Sequence, residues 1–508
     1  MTNCSRFTKR LHIAVLVFGA AVFAACAFNT NIWFDECYSV AAVSGDLSSL
    51  VPVLTDDVHP FLYYFLLKPV YHLGGGSLIV MRLFSALAMW LLALAGYTHV
   101  RAHISEKAGL FFSLFCVISP ASIKYAGEIR MYSFGALFIF FSAFYAYLAL
   151  RSDERRVRNL SLFVAFSVAA AYTHYYGLVT VCIINAFFIV GALVKKLRAK
   201  SVILPCAAEL LLYIPGFIVF LTQSTRVASG DYWIRVEYPD VLFQTFSYIL
   251  TGGDSPWDCY MTPRAYSVVA LFSCVLFAAA IFAVIRGLLK RDDTARPAAL
   301  ALGVFCSVVG AGLAVSVFKE FYYVRYTMLC HGLILVALAY AASRINRRAV
   351  SCALCVLLAA ASITVCRPFF GAMHNGDFAC ATDDLHGAIS DDDVLIFESI
   401  TPGAVLSYML DGHEKYFINE DIDEYPRAYT AFADEFSTVA SLESISERLD
   451  DIDGRVWILE KNDGDGILAS EIERIFPDAV RTDELTLTIL YRHNTFRLAA
   501  YTLDGNDR

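Results

Sequence analysis

Eleven stretches of this chain have membrane-spanning character, and a chain that repeats such stretches is confined to few folds. They fall near 11–29, 78–99, 108–123, 131–150, 160–173, 177–194, 201–222, 265–285, 298–318, 327–343 and 349–365. A run of about 20 apolar residues is what a helix needs to cross the hydrocarbon core of a bilayer. Two of the eleven, 108–123 and 160–173, are short for a full crossing. At 508 residues, 58% hydrophobic and only 17% charged, the chain is far more apolar than a soluble domain. The pattern predicts a polytopic α-helical membrane protein with about eleven transmembrane helices.

Charge divides the chain in two. Residues 367–508 hold 30 acidic and 11 basic side chains, a net of −19, whereas residues 1–366 hold 18 acidic and 29 basic, a net of +11. An acidic tail of this kind argues against nucleic acid or anionic lipid as its partner and suits a solvated domain. Its short β-like runs, 394–397, 416–418, 456–459 and 485–491, alternate with helix-like stretches and predict a small α/β domain. With the N-terminus inside, Arg101, the basic run at 151–158, Lys195, Lys196, Arg286, Lys290 and Arg344 all lie in cytoplasmic loops, as the positive-inside rule requires. The expected organisation is therefore a transmembrane domain over 1–366, with outer loops 30–77 and 223–264. An extracytoplasmic domain follows over 367–508.

In that topology the unusual polar residues converge on the outer side. The first loop brings Asp35 and Glu36 at the end of the first apolar run, then Asp57 and His59. The turn near 123–131 brings Lys124, Tyr125, Glu128 and Arg130. His174 and Tyr175 stand in a third turn, and Arg325 and Tyr326 in a fourth. Carboxylates at a bilayer boundary are costly unless used. Together these groups make a group-transfer kit. A carboxylate takes the proton of an acceptor. Arg and Lys stabilise the charge that develops on a departing phosphate oxygen. One base and one displacement give inversion with no covalent intermediate.

Each residue also has a plainer reading. Glu36 could hold a loop through backbone amides, and Glu128 and Arg130 could pair with each other. His174 fits a structural histidine satisfied by a neighbouring backbone group, and Tyr175 an interfacial belt. Asp57 and His59 offer an oxygen and an imidazole to a divalent metal, although a pair in a turn also reads as a hydrogen-bonded brace. No cofactor is required by the residues themselves.

Trp33-Phe34-Asp35-Glu36 followed by Ser39, then Asp57-Val58-His59-Pro60 with Tyr63-Tyr64, resembles bacterial GT-C glycosyltransferases of the family 39 type, related to protein O-mannosyltransferases and aminoarabinose lipid A transferases. Arg82-Leu83-Phe84-Ser85, the run 125–133, the run 173–177 and Arg325-Tyr326 add to the resemblance, which spans most of residues 1–345. It implies a polyprenyl-phosphate sugar donor, an outer-loop Asp as base and a multi-span fold with interfacial helices. Phe61 stands where many relatives carry a second proline. The acceptor, whether glycan, lipid or protein, is left open, and a protein O-mannosyltransferase is the alternative within the fold. From other classes, a secondary transporter would place its charges at mid-bilayer in repeated halves. A glycan-binding membrane protein would leave Asp35 and Glu36 unused.

Overall fold

The computed structural model describes residues 3–29, 31–151, 153–229, 234–373, 385–419, 430–461, 467–489 and 494–503. All eleven apolar segments lie on helices. Among the described residues nine helices are long and apolar enough to cross a membrane, and a tenth crossing is a bent pair, Glu106–Ile118 with Pro120–Ala126. The eleventh segment forms Arg156–Ala171, 16 residues, which reaches about 24 Å at the usual helical rise and begins with arginines. Residue order and packing divide the chain into two units, 1–28 with 58–368 and 29–57 with 369–508.

The first unit is the helical bundle. Tyr132–Arg151 packs on Leu78–Ala95, Arg156–Ala171 and Tyr175–Val194. Its contacts are made by small and aromatic residues, and where polar groups are enclosed they bond across helices. Ser142 and Ser167 share a hydrogen bond of 2.8 Å, and Asn185 donates to Glu209 at 2.6 Å. Inside a bilayer, where water cannot substitute, such bonds fix helix neighbours. Between Pro263–Leu289 and Arg296–Ser316, Asp292 accepts the Thr294 N–H at 3.0 Å and the Tyr340 hydroxyl at 3.1 Å, and it pairs with Arg344. Burial works against its charge, but these donors outweigh it and hold the carboxyl below its usual range.

The second unit is built on a six-stranded sheet of order β3-β2-β1-β4-β6-β5, with β1 Val394–Phe397, β2 Glu414–Ile418, β3 Ser437–Val439, β4 Val456–Lys461, β5 Val480–Ile489 and β6 Asn494–Thr502. The first four strands are parallel, and β6 and β5 close the sheet antiparallel. All four residues of β1 are buried, as expected of a parallel strand covered on both faces. One face packs Val394, Ile396, Val456 and Ile458 against Leu442, Leu449, Leu468 and Ile472. On the other, Phe397 and Phe417 stack at 5.7 Å and Phe436 meets both. Residues 29–57 of the first long loop pack with this unit. They carry two helices, Phe34–Ser44 and Leu47–Asp56.

Candidate functional site

Ser119-Pro120 does the first work of positioning. Proline lacks the N–H that a continuing helix needs, and it drives the residue before it out of the helical region. Ser119 is accordingly extended, at φ −69° and ψ 124°, and the helix axis turns by 60°. The short helix Pro120–Ala126 that follows presents Lys124 and Tyr125, 7% and 1% exposed. It is pinned from two sides. Ser119 Oγ donates to the Ile249 carbonyl at 2.7 Å. At Gly127, where the chain turns, a Cβ would sit 2.9 Å from the Cys26 carbonyl oxygen, so only glycine allows this approach.

Asp240–Thr251 lies against this short helix. It ends at Gly252, whose φ of +66° closes the helix with an N–H to the Tyr248 carbonyl at 2.8 Å. A left-handed conformation costs an L-residue about 1–2 kcal/mol, and here an added Cβ would also press on Pro120 and Ala121 at 3.2 Å. The two elements thus bring the Tyr125 and Tyr248 hydroxyls into a hydrogen bond. The turn at Gly252 then delivers Asp254 and Asp258. These two carboxyls hydrogen-bond each other, and Lys124 and Arg325 act on both electrostatically. Asp258 also accepts the Ser255 hydroxyl at 2.6 Å.

An aromatic chain connects the remaining residues of the bundle. Tyr125 meets Tyr132 at 4.8 Å, Tyr132 meets His174 at 5.8 Å, and His174 meets Tyr326 at 4.9 Å. The His59 and His174 rings stand edge to face at 5.4 Å. His174 Nδ1 accepts the Tyr176 N–H at 3.0 Å and so caps the helix Tyr175–Val194; the second ring nitrogen then carries the proton. Tyr175 donates to the buried Gln223, whose amide in turn donates to the His59 carbonyl at 3.4 Å. The Arg325 guanidinium lies over the Tyr323 ring at 5.4 Å. Glu128 and Arg130 are buried, 2% and 3% exposed.

The bundle therefore collects His59, Lys124, Tyr125, His174, Tyr175, Arg325 and Tyr326 at one end. Asp35, Glu36 and Asp57 belong to the second unit. There Asp35 is half-buried at the first turn of Phe34–Ser44, behind Trp33 at the cap position, and Glu36 is 1% exposed. Asp57, 2% exposed, closes Leu47–Asp56 with its N–H on the Val53 carbonyl at 2.9 Å. Among the described residues no three His, Cys, Asp or Glu side chains gather as a metal-ligand set. Asp254, Asp258 and Tyr248 were not singled out by sequence reasoning. Their one signal is a pair of carboxylates four apart in the second outer loop, which holds other charged residues as well.

Below this cluster runs an apolar groove of about 360 Å³. Its near end is walled by Ser119, Ile249 and Leu250, the residues beside the Lys124 helix and Tyr248. Its far end reaches Ile345 and Val350. The groove thus starts beside the Lys124 helix and follows the bundle for about half a span.

A helical bundle with a kinked span and an appended α/β domain is the GT-C type of fold. The chain shares it with the apo crystal structure of ArnT from Cupriavidus metallidurans, at a TM-score of 0.54 and 14% identity over 99% of each chain. ArnT from the same organism bound to undecaprenyl phosphate gives 0.46 and 13%, over 97% of each chain. The apo oligosaccharyltransferase of Archaeoglobus fulgidus gives 0.46 and 11%, over 90% of this chain and 70% of that one. No family model and no curated protein matches the chain.

Proposed function

We propose that this protein is a membrane glycosyltransferase that moves a sugar from a polyprenyl-phosphate carrier to an acceptor by inverting displacement. The observation that carries the reading is the apolar groove of about 360 Å³ that begins at Ser119, Ile249 and Leu250, next in the chain to the elements that carry Lys124, Tyr125 and Tyr248. An apolar chain with a phosphate at one end suits a slot with apolar walls that starts at Ser119, the residue that opens the helix carrying Lys124. The GT-C fold agrees with it. In this reading Asp35 removes the acceptor proton and Arg325 and Lys124 meet the donor phosphate. Tyr125, Tyr326 and His174 line the sugar side, while Glu128 and Arg130 support the turn that carries Lys124. Glu36 and Tyr175 act as braces, as do Asp57 at the end of its loop helix and His59 against His174. The N-terminus lies in the cytoplasm and residues 367–508 fold outside it.

The test is purified full-length protein in detergent, offered polyprenyl-phosphate mannose and polyprenyl-phosphate aminoarabinose beside the matching nucleotide sugars. Turnover of a lipid-linked donor, with release of polyprenyl phosphate, is the expected result. Use of a nucleotide sugar with no lipid carrier present would overturn the reading.

A further inference from the structure

The helix that carries Asp35 is held by the C-terminal half of the sequence. Phe34 and Tyr38, one turn apart on Phe34–Ser44, both rest on Phe432, with ring centroids 6.1 and 6.0 Å away. Phe432 is 2% exposed and stacks on Phe436 at 5.3 Å. Phe436 in turn meets Phe397 of β1 at 5.1 Å and Phe417 of β2 at 6.0 Å. The backbone fixes the same segment, since the N–H groups of Glu435 and Phe436 bond the Phe432 carbonyl at 2.9 and 3.1 Å. Five ring contacts thus link the centre of the sheet to Phe34, which precedes Asp35, and to Tyr38 in the next turn.

Two more contacts hold the loop. Phe34–Ser44 packs along Ile400–Met409, the crossover helix between β1 and β2. Thr430 Oγ1 donates to Asp56 Oδ2 at 2.5 Å, which ties the second loop helix to the same segment. Within Phe34–Ser44, Ser39 Oγ bonds the Asp35 carbonyl at 2.9 Å. Asp35 is thus tied to its own helix, and that helix rests on Phe432 and on Ile400–Met409.

We infer that Phe432 is a positioning residue for the Asp35 carboxylate, and that the C-terminal domain acts in catalysis by fixing the helix that presents the base. The inference rests on the proposed glycosyl transfer. Sheet and loop residues are separated by more than 300 positions in sequence, so a domain whose role was only to fold outside the membrane would have no need of the Phe432 contacts. A base must stand within hydrogen-bond reach of the proton it takes. A ring removed beneath its helix lets it drift.

The experiment compares full-length wild type with Phe432→Ala, Phe432→Tyr and Thr430→Val. Hydrogen exchange of the 34–44 amides should quicken at least about tenfold in Phe432→Ala, while β4 and β6 amides keep their protection. With the polyprenyl-phosphate donor that the wild type turns over, kcat should fall by up to about a hundredfold with the donor KM unchanged, and Phe432→Tyr should restore it. Unaltered exchange over 34–44 and unaltered kcat in Phe432→Ala would overturn the inference. A loss shared equally by kcat, KM and β4 protection would do the same, because it marks general unfolding. Should Phe432→Ala fail to fold, Thr430→Val decides by the same two measurements. Wild type that turns over no lipid-linked donor refutes the transfer reading instead, and exchange over 34–44 then judges the positioning alone.

Discussion

Asp254 hydrogen-bonds Asp258 in the loop that follows Gly252, and two carboxyls can share such a bond only if one of them keeps its proton. Burial is the larger cause, and the charge and hydrogen bond of Asp258 add to it. Together they push the Asp254 carboxyl up to about 7 against the pull of Arg325 and Lys124. Burial opposes the charge of Asp258 too, but the bond from Asp254, the nearby Lys124, Ser255 and Arg325 outweigh it and hold that carboxyl below its ordinary range. Below about pH 7 the pair thus places one negative charge, not two, beside the cations assigned to the donor phosphate.

The pair makes the loop sensitive to pH in a direction that can be worked out. Asp254 has a raised pKa in the folded state, so the stability it contributes is present below its unfolded value near 4 and is lost as pH rises through about 7. Protection of the 252–262 amides, corrected for intrinsic exchange, should fall between about pH 4 and pH 7. Asp254→Asn, which keeps a hydrogen-bond donor and cannot ionise, should flatten that fall. A wild-type profile already flat over this range would show that the two carboxyls do not share a proton.

Arg325 and Lys124 flank this pair, and their loss should act on the donor. Arg325→Ala should raise the donor KM or slow departure of the phosphate by about tenfold or more, and Arg325→Lys should do so less, since the planar fork matches phosphate oxygens better than a point charge. Lys124→Ala should weaken the donor similarly. Unchanged kinetics in the double Ala variant would leave these side chains as partners of Asp254 and Asp258 alone.

Asp35→Asn tests the base. The substitution preserves shape and removes basicity, so turnover should drop by about two orders of magnitude or more, while equilibrium binding of the lipid donor persists. Near-wild-type transfer by the Asn variant would remove Asp35 from the mechanism.

Orientation follows from charge and is testable without substrate. An alkaline phosphatase reporter fused after Asp377 should be active and a cytoplasm-dependent fluorescent reporter at the same point dark. The reverse result would place residues 367–508 in the cytoplasm and move the proposed chemistry with them.

The transmembrane helices were legible because hydropathy acts locally, and each apolar stretch reports its own environment. The shortness of 108–123 was legible as well, and its cause is Pro120, which breaks the span. Strands β1, β2 and β4 stood out as compact apolar runs. β3, only Ser-Thr-Val, and β6, whose Leu498-Ala499-Ala500-Tyr501 suits either helix or strand, carried too little local signal. The cation end of the site could be read as residue types. Asp254, Asp258 and Tyr248 join it only because Asp240–Thr251 docks on Pro120–Ala126, and no spacing in the sequence encodes that docking. For the same reason the partnership of Tyr38 with Phe432 was invisible, since it depends on contacts between residues almost 400 positions apart.

The groove makes the last prediction, because its shape should be felt by the lipid and not by the sugar. Ala279 and Ala353 line it on two different helices, Pro263–Leu289 and Arg348–Met373, and their small side chains leave much of its width open. Phe at either position adds a ring of roughly the bulk that closes such a slot, and it does so in an apolar wall where a larger apolar residue costs about 1–3 kcal/mol or less. Helix packing should survive, since both residues face the open slot. If the slot holds the isoprenoid chain, Ala279→Phe and Ala353→Phe should raise the KM for a full-length polyprenyl-phosphate sugar by about tenfold, the loss expected when roughly 1.4 kcal/mol of binding is removed. A donor truncated to two isoprene units, which would fill far less of the slot, should keep its wild-type KM. Equal effects on long and short donors would place the lipid chain elsewhere on the bundle.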